Sequence, residues 1–286
     1  MLGRRGALRF LVAPPYLWLL LLFVAPLVLA AAISLRPEVG VIRFDEPWRV
    51  SLAQYQTIAG SLSWLRLLGV SALMALVVAA FASLLAFPVA YFLAFRAGRR
   101  APLFLVLLLV PFATSFLLRV MAWKLLLGSN GAINSFLIWI GLIREPIGLL
   151  LYSQAAVVLT LVYVWIPFAA LPIYAALQRI DRGFLEAAAD LGSGPWTRFW
   201  RVTVPLSLPG VMATFFMVFI PTIGEYVTPS LVGGTGGIMY GNLIQDFFTR
   251  AGNWPLGSVL AVVMLLVSMA LVAIGLRIID LRRVLA

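Results

Sequence analysis

The 286-residue chain has a mean hydropathy of +1.07 and only 11% charged residues, less than half the charged fraction of ordinary soluble domains, so a water-soluble globule is excluded. It contains neither cysteine nor histidine, which removes disulfides, thiolate nucleophiles, Ser-His relays and nearly every zinc site, and we expect no catalytic residue, metal or cofactor. The net charge of +11 could indicate nucleic-acid binding, and the positions of the basic residues decide whether it does.

Six apolar stretches are each long enough to cross the ~30 Å hydrocarbon core of a bilayer, which takes about 20 residues. In chain order they are 15–35, 67–95, 102–127, 153–177, 206–226 and 256–279. The first follows Arg4, Arg5 and Arg9, as a cleavable signal would, but it exceeds the apolar region of signals, about 7–15 residues. We therefore expect an uncleaved anchor and an all-α membrane protein with six transmembrane helices in a single domain.

The basic residues divide unevenly between the two sides of these spans. Thirteen of the 21 lie on the side that holds both termini, the connection between the second and third spans, and the connection 179–205. The positive-inside rule places that side in the cytoplasm. The basic excess thus indicates orientation, and we expect a multi-pass membrane protein, in contact with lipid and not with nucleic acid.

Prolines lie inside nearly every span, where each removes a backbone donor and kinks its helix. They are Pro26, Pro88, Pro111, Pro167, Pro172, Pro209 and Pro221. Membrane bundles tolerate such kinks when neighbouring helices or cavities satisfy the freed carbonyls. The pattern favours a transporter or channel over an inert anchor.

Two connections on the outer side have distinct compositions. The apolar segment 134–143 follows Gly131 and contains Gly141, and we expect it along the surface. The connection 227–255 contains Gly233-Gly234-Thr235-Gly236-Gly237, which lacks the Lys and Ser/Thr of a phosphate-binding loop. We interpret it as a flexible turn.

The connection 179–205 has helical periodicity on both sides of a turn. Asp181 is placed to cap a helix, and Phe184, Ala187, Ala188 and Leu191 then follow at helical spacing, before Gly192 supplies a left-handed exit. Pro195 suits the start of a second helix, with Trp196, Phe199 and Trp200 on one stripe and Arg198 and Arg201 at charged edges. This predicts a cytoplasmic helical hairpin that serves as a docking surface; the alternative is an amphipathic loop resting on lipid headgroups.

The spacing of Glu186-Ala187-Ala188, three residues, Gly192, nine residues, and Val202-Thr203-Val204-Pro205 resembles the EAA loop of ABC-importer permeases. Val202 and Val204 depart from the usual Ile and Leu by apolar swaps. The resemblance implies a type I importer permease fold in the bacterial inner membrane. It also implies that 179–205 is a coupling loop that contacts an ATPase subunit. The residues implied in this contact are Glu186, Ala187, Ala188, Gly192 and Pro205. The resemblance also explains why the chain carries no nucleotide site of its own.

Further segments resemble the B-type permease of spermidine/putrescine importers, among them 111–134, 162–177, Gly224-Glu225-Tyr226 and 241–255. The resemblance implies four kinds of partner: a second, related permease chain, two ATP-binding subunits, an external solute-binding protein and a polyamine solute. Importers of opines, phosphonates or amino-acid-like solutes share much of this pattern and remain alternatives. An ion-coupled carrier or a non-transporting scaffold would leave the hairpin unexplained.

Polyamine ammonium groups favour carboxylates and aromatic faces, so Glu225 and Tyr226, with Trp123 and Trp165, form a candidate solute pathway. The alternative for Glu225 and Tyr226 is an interfacial anchor at the end of a span. Counting from Pro102 places Arg119 near the outer end of the third span, where it would either snorkel to the headgroups or line the pathway.

Overall fold

The computed structural model describes residues 4–37, 40 and 47–278. Position 279, which ends the sixth predicted span, and Arg282 and Arg283 lie outside these residues. The described part of the chain is helical apart from turns and short connections, with α-helices α1 Arg4–Leu19, α2 Ala25–Ser34, α3 Ala53–Gly60, α4 Leu62–Phe95, α5 Ala101–Leu109, α6 Phe116–Leu127, α7 Ala132–Trp139, α8 Gln154–Gln178, α9 Arg182–Asp190, α10 Pro195–Arg198, α11 Val204–Ile223, α12 Tyr240–Thr249 and α13 Trp254–Ile278.

Six helical stretches in the described residues are long and apolar enough to cross a membrane. They are Val12–Ser34, Leu62–Phe95, Phe116–Trp139, Gln154–Gln178, Pro195–Ile223 and Trp254–Arg277. The first joins α1 to α2 through one π-helical turn at Leu20–Val24, and the fifth joins α10 to α11 through another at Phe199–Thr203. The predicted all-α fold class with six spans is confirmed.

The third predicted span, 102–127, is wrong as one continuous helix. Helix α5 ends at Leu109, a 3₁₀ turn covers Val110–Ala113, and Thr114 and Ser115 are extended before α6 begins. Pro111 lacks a backbone N–H and disfavours helical geometry in the residue before it, which accounts for the break. The apolar segment 134–143 overlaps α7 over residues 134–139, and the stretch that satisfies the length criterion is Phe116–Trp139.

Small side chains allow the helices of the larger compact unit, Leu67–Asn242 with Ser268–Ala286, to pack closely in its described part. Alanines on α4 form a fully buried stripe, and a Cβ added at Gly210 on α11 would collide with Ala176 on α8. The buried Thr214 hydroxyl donates to the Ala169 carbonyl across the same pair of helices, at 3.0 Å. Helix pairs in membranes associate through such close backbone approach, because lipid offers no hydrophobic driving force between them.

A second compact unit comprises Met1–Arg66 and Leu243–Val267. In its described part the hydroxyls of Ser34 and Tyr55 hydrogen-bond at 2.8 Å. The rings of Trp64 and Phe247 meet edge to face, with centroids 5.6 Å apart. The hydroxyl pair thus links α2 to α3, and the ring pair links the start of α4 to α12.

Candidate coupling surface and solute pathway

The first arm of the hairpin is α9, and its own sequence fixes both of its ends. The Asp181 carboxylate accepts a hydrogen bond from the Gly183 N–H at 2.9 Å and caps the start. At the other end Gly192 has φ +80°, and the N–H of Ser193 reaches back to the Ala188 carbonyl at 3.0 Å. This is a glycine-terminated Schellman cap, as the position of Gly192 predicts.

The second arm begins at Pro195, the first residue of α10, directly after Gly194. The π-helical turn Phe199–Thr203 carries the chain into α11, whose second residue is Pro205. The Arg198 guanidinium is half-buried and donates from Nη1 to the Leu185 carbonyl at 3.4 Å, which links the two arms. Arg198 thus bridges the two arms, whereas Arg201 is exposed.

The hairpin leaves a large apolar surface uncovered in the isolated chain. Leu191 is 86% exposed, Trp196 72% and Phe184 59%. Glu186 and Ala187 are exposed beside them, and Ala188 is half-buried. An uncovered apolar patch edged by charged residues is typical of an interaction surface.

Phe199 joins the hairpin to α4. Its ring lies edge to face with those of Phe87 and Tyr91, at centroid distances of 5.8 and 5.7 Å. On its other side it stacks on Trp196 at 5.7 Å. The sequence predicts Phe199 on one stripe with Trp196 and Trp200 but not its contact with α4, for which Phe87 and Tyr91 at i and i+4 on one face of α4 are the signal.

Arg119 faces protein in the structure. Its guanidinium carbon lies 4.3 Å from the centroid of the Phe112 ring, a cation–π distance, and its Nε atom is buried. Because Pro111 interrupts the predicted span, counting helical rise from Pro102 does not give its depth. Phe112 in turn contacts Phe168 of α8.

Trp123 and Trp165 both make aromatic contacts. Trp123 of α6 contacts a ring of α8, and Trp165 contacts a ring of its own helix, α8. The Trp123 ring lies 5.3 Å from that of Tyr163, and the Trp165 ring 6.2 Å from that of Phe168. Among the described residues no ring contact or hydrogen bond links either tryptophan to Glu225 or Tyr226. Their assignment to one solute pathway therefore stays a prediction.

Glu225 caps the turn that follows α11. Its Oε1 atom accepts hydrogen bonds from the N–H groups of Val227 and Thr228, at 2.8 and 3.0 Å. Tyr226 is exposed, and its carbonyl accepts from the Asn242 side-chain amide at 2.8 Å. The carboxylate therefore has a local structural partner, whatever part it takes in transport.

The glycine-rich segment 233–237 contains the predicted turn, and the ends of this segment are packed. Gly233 and Gly237 are buried, and the Gly237 N–H donates to the Gly233 carbonyl at 2.8 Å. A Cβ added at Gly234 would lie 2.7 Å from the Tyr152 Cβ. The glycines permit close backbone approach.

Asn242 holds together the segment 224–242, which we call the outer segment because the predicted orientation puts it outside; the sequence alone does not indicate this role of Asn242. Its amide donates to the Tyr226 carbonyl and to the Ser230 hydroxyl at 2.7 Å, and its Oδ1 accepts from the Met239 N–H at 3.0 Å. A buried Asn with nearly all of its hydrogen bonds made rigidifies a polar region. Its position directly after Gly241 was the available signal.

Comparison with known proteins agrees with the hairpin and the six spans. Residues 86–284 match the family described as the inner membrane component of binding-protein-dependent transport systems. The chain belongs to this family. The resemblance drawn from the EAA spacing is therefore confirmed, and the protein is a multi-pass permease of the inner membrane.

Several curated permeases are similar in sequence. The spermidine/putrescine transport system permease protein PotB of Escherichia coli K12 is 36% identical over 194 residues, which covers 68% of this chain and 70% of that protein. PotB of Haemophilus influenzae is 32% identical over 251 residues, 88% of this chain and 86% of its own length. The molybdenum transport system permease protein ModB of Mycobacterium bovis is 30% identical over 194 residues, 67% of this chain and 70% of its own.

Solved importers share the fold of this permease. A chain of a bacterial ABC transporter that imports the acidic polysaccharide alginate has a TM-score of 0.71 at 16% identity, covering 97% of this chain and 96% of its own. A chain of the MetNI methionine ABC transporter has a TM-score of 0.56 at 19% identity, over 77% of this chain and 95% of its own. At these identities the likeness concerns the fold alone.

Proposed function

We propose that this permease forms part of the solute pathway of a polyamine importer and couples that pathway to a separate ATPase through the hairpin 179–205. The observation that carries the coupling role is the uncovered apolar face of the hairpin, with Glu186, Ala187 and Gly192 at the spacing of the EAA loop. Its ends are capped within the hairpin, so the surface is formed without a partner.

The orientation and partners follow from this role. The excess of arginine on one side of the spans supports placing the hairpin and both termini in the cytoplasm. The complete importer would contain a second, related permease chain, two ATP-binding subunits that supply ATP hydrolysis, and an external solute-binding protein. Closure of the ATPases would displace the hairpin and shift the permease pair between inward-open and outward-open states. The permease itself performs no chemistry.

The spermidine/putrescine class of solute is supported by the names of the PotB relatives, one of which matches this chain over most of its length. The similarity to ModB, a molybdenum permease matched over 67% of this chain, favours a second candidate, an importer of another small solute. Opines, phosphonates and amino-acid-like compounds belong to that second candidate.

Purification of the chain with its native partners tests the proposal. We expect a nucleotide-binding subunit to co-purify, and ATP hydrolysis in liposomes to rise when the solute-binding protein is loaded with spermidine or putrescine. Transport without any ATPase subunit would support an ion-coupled carrier instead. If the chain never changed the rate of ATP hydrolysis by a partner subunit, a non-transporting scaffold would be supported. If only another solute stimulated ATP hydrolysis, the coupling role would stand and the polyamine assignment would be wrong.

A further inference from the structure

Among the described residues, every ring contact between the hairpin and α4 passes through Phe199. Its ring meets those of Phe87 and Tyr91 edge to face, at centroid distances of 5.8 and 5.7 Å. Phe199 itself is half-buried, whereas Trp196 and Trp200 on the same stripe are exposed. Phe199 therefore provides the aromatic connection between the proposed docking surface and this membrane-spanning helix.

The two rings that Phe199 contacts lie on either side of a proline. Phe87 directly precedes Pro88, and Tyr91 follows it by three residues. Because Pro88 lies inside α4, it removes the helical hydrogen bond to the carbonyl four residues earlier, which is that of Leu84. Sharp bends in long helices concentrate at such points. The hairpin thus contacts α4 where the helix is least restrained by its own hydrogen bonds.

An open space adjoins the same point of α4. A cavity of about 650 Å³ lies between α4, the second arm of the hairpin and α11, and its walls include Leu84, Phe87, Pro88, Tyr91 and Phe199. Close-packed interiors transmit strain and resist local movement. Because this side of α4 is not close-packed, the helix can bend at Pro88 without displacing protein atoms there.

Another face of α4 at the same level is part of the bundle core. Ala82, Ala86 and Ala90 are each 0% exposed, and small residues of this kind allow neighbouring helices to approach closely in membranes. A bend at Pro88 therefore changes how the spans pack against one another, in addition to what α4 presents to lipid.

We propose that Phe199 is a mechanical link that converts displacement of the hairpin into bending of α4 at Pro88. The inference rests on the proposed function, in which an ATPase displaces the hairpin. One connection from the hairpin to the spans is covalent, through the π-helical turn Phe199–Thr203 into α11. The ring of Phe199 adds a second connection, to a helix more than a hundred residues earlier in the chain, so that α4 and α11 respond together.

Phe199→Leu tests the link, because leucine keeps an apolar side chain and removes both ring pairs. The measurement is made on the complete importer in liposomes, with putrescine delivered by the binding protein. We expect ATP hydrolysis to stay within about twofold of wild type, while the putrescine transported per ATP falls roughly two- to tenfold, the effect of losing an aromatic pair. A docking defect would instead lower uptake and ATP hydrolysis together.

Phe92→Leu is the matched control for this variant. It removes an edge-to-face ring pair from the next position of α4, but its partner is Phe104 of α5, at 5.5 Å, and not the hairpin. The ratio of uptake to ATP hydrolysis should stay at the wild-type value. An unchanged ratio in Phe199→Leu would overturn the link. Loss of the ATPase subunit from Phe199→Leu importers would assign the ring to docking and would overturn the link as well.

Pro88→Ala tests the second half of the link. Alanine supplies the N–H that can bond the Leu84 carbonyl, so it removes the weak point of α4. We expect the same fall in putrescine transported per ATP. Combined with Phe199→Leu, the fall should be no larger than that of the stronger single variant, because both changes disable one step. Falls that multiply in the double variant would show two independent effects and overturn the link.

Hydrogen exchange tests the bend without any transport. In the wild-type importer we expect a non-hydrolysable ATP analogue to change the exchange of backbone amides between Leu84 and Phe92, and we expect no such change in Phe199→Leu. An analogue-dependent change of equal size in both proteins, or in neither, would overturn the link and leave the importer role standing. A wild-type chain that binds no ATPase subunit would instead refute the proposed function.

Discussion

The hairpin 181–203 and the outer segment 224–242 are both connections rich in glycine, yet they are built in opposite ways. The two ends of the first arm are fixed by hydrogen bonds between residues close in sequence, and the hairpin leaves Leu191 and Trp196 exposed. The outer segment is fixed by the long-range amide of Asn242 and by glycines pressed against backbone, such as Gly241. The first presents an apolar surface, and the second buries its own.

This contrast shows how glycine can serve two physical purposes. At Gly192 a Cβ would meet nothing within 4 Å, and only the positive φ requires glycine. At Gly241 the backbone angle is ordinary, but a Cβ would lie 2.7 Å from the Glu225 carbonyl oxygen. Substitution should therefore disturb coupling at the first position and folding at the second.

The largest effect is expected from Gly241→Val. Its side chain would overlap backbone atoms that cannot move aside, and overpacking of this kind costs about 3 kcal/mol or more. We predict little assembled permease in membranes, measured by extraction and size-exclusion chromatography. Gly236→Val is the matched control, since a Cβ there meets open space. Equal yields of the two variants would show that the outer segment is not closely packed.

Gly192→Val should have a smaller effect and a different character. A bulky β-branched residue at positive φ costs about 1–2 kcal/mol, which misaligns the two arms without disturbing the spans. We predict normal insertion, with solute uptake and solute-stimulated ATP hydrolysis reduced together. Gly194→Val, at φ −65° with open space around it, should retain more of both. Full coupling in Gly192→Val would contradict the docking role.

Glu225→Gln separates the two roles of this side chain. The amide oxygen still accepts from the N–H groups of Val227 and Thr228, so expression and thermal stability should stay close to those of the wild type. We predict a several-fold loss of cationic-solute uptake. Glu225→Ala also removes the cap, and should lower stability by about 0.5–2 kcal/mol. Unchanged uptake by Glu225→Gln would leave Glu225 as a helix cap only.

The smallest effect is expected from Glu186→Ala. The side chain is exposed and the apolar contacts around it remain, so we predict unchanged folding and at most a modest drop in solute-stimulated ATP hydrolysis. Loss of the chain from the membrane would indicate a structural role. A loss of coupling as large as that of Gly192→Val would mean that the partner recognises the carboxylate itself.

The hairpin could be predicted from sequence because its determinants are local. Asp181, Gly192 and Pro195 act on neighbouring residues, and the helices they delimit appear where their spacing predicts. The break after Pro111 was harder, because a proline in a span either kinks or ends the helix, and the surrounding packing decides which.

The packing of the outer segment depends on partners distant in the chain. The Asn242 side-chain amide donates to the Tyr226 carbonyl, and the Tyr240 N–H donates to the Ser71 hydroxyl at 2.7 Å. No local pattern encodes such contacts, so the sequence predicts the turn at 233–237 but not its packing.

Cross-linking from Leu191 tests the docking role most directly. A benzophenone attached to Leu191→Cys should form an adduct with the nucleotide-binding subunit in the assembled importer, since this side chain is 86% exposed at the centre of the proposed surface. The same probe on Trp139→Cys, 81% exposed on α7, should give no such adduct. An adduct with the ATPase from Leu191 alone is the result predicted here; adducts with lipid only from Leu191, or with the ATPase from Trp139, would contradict it.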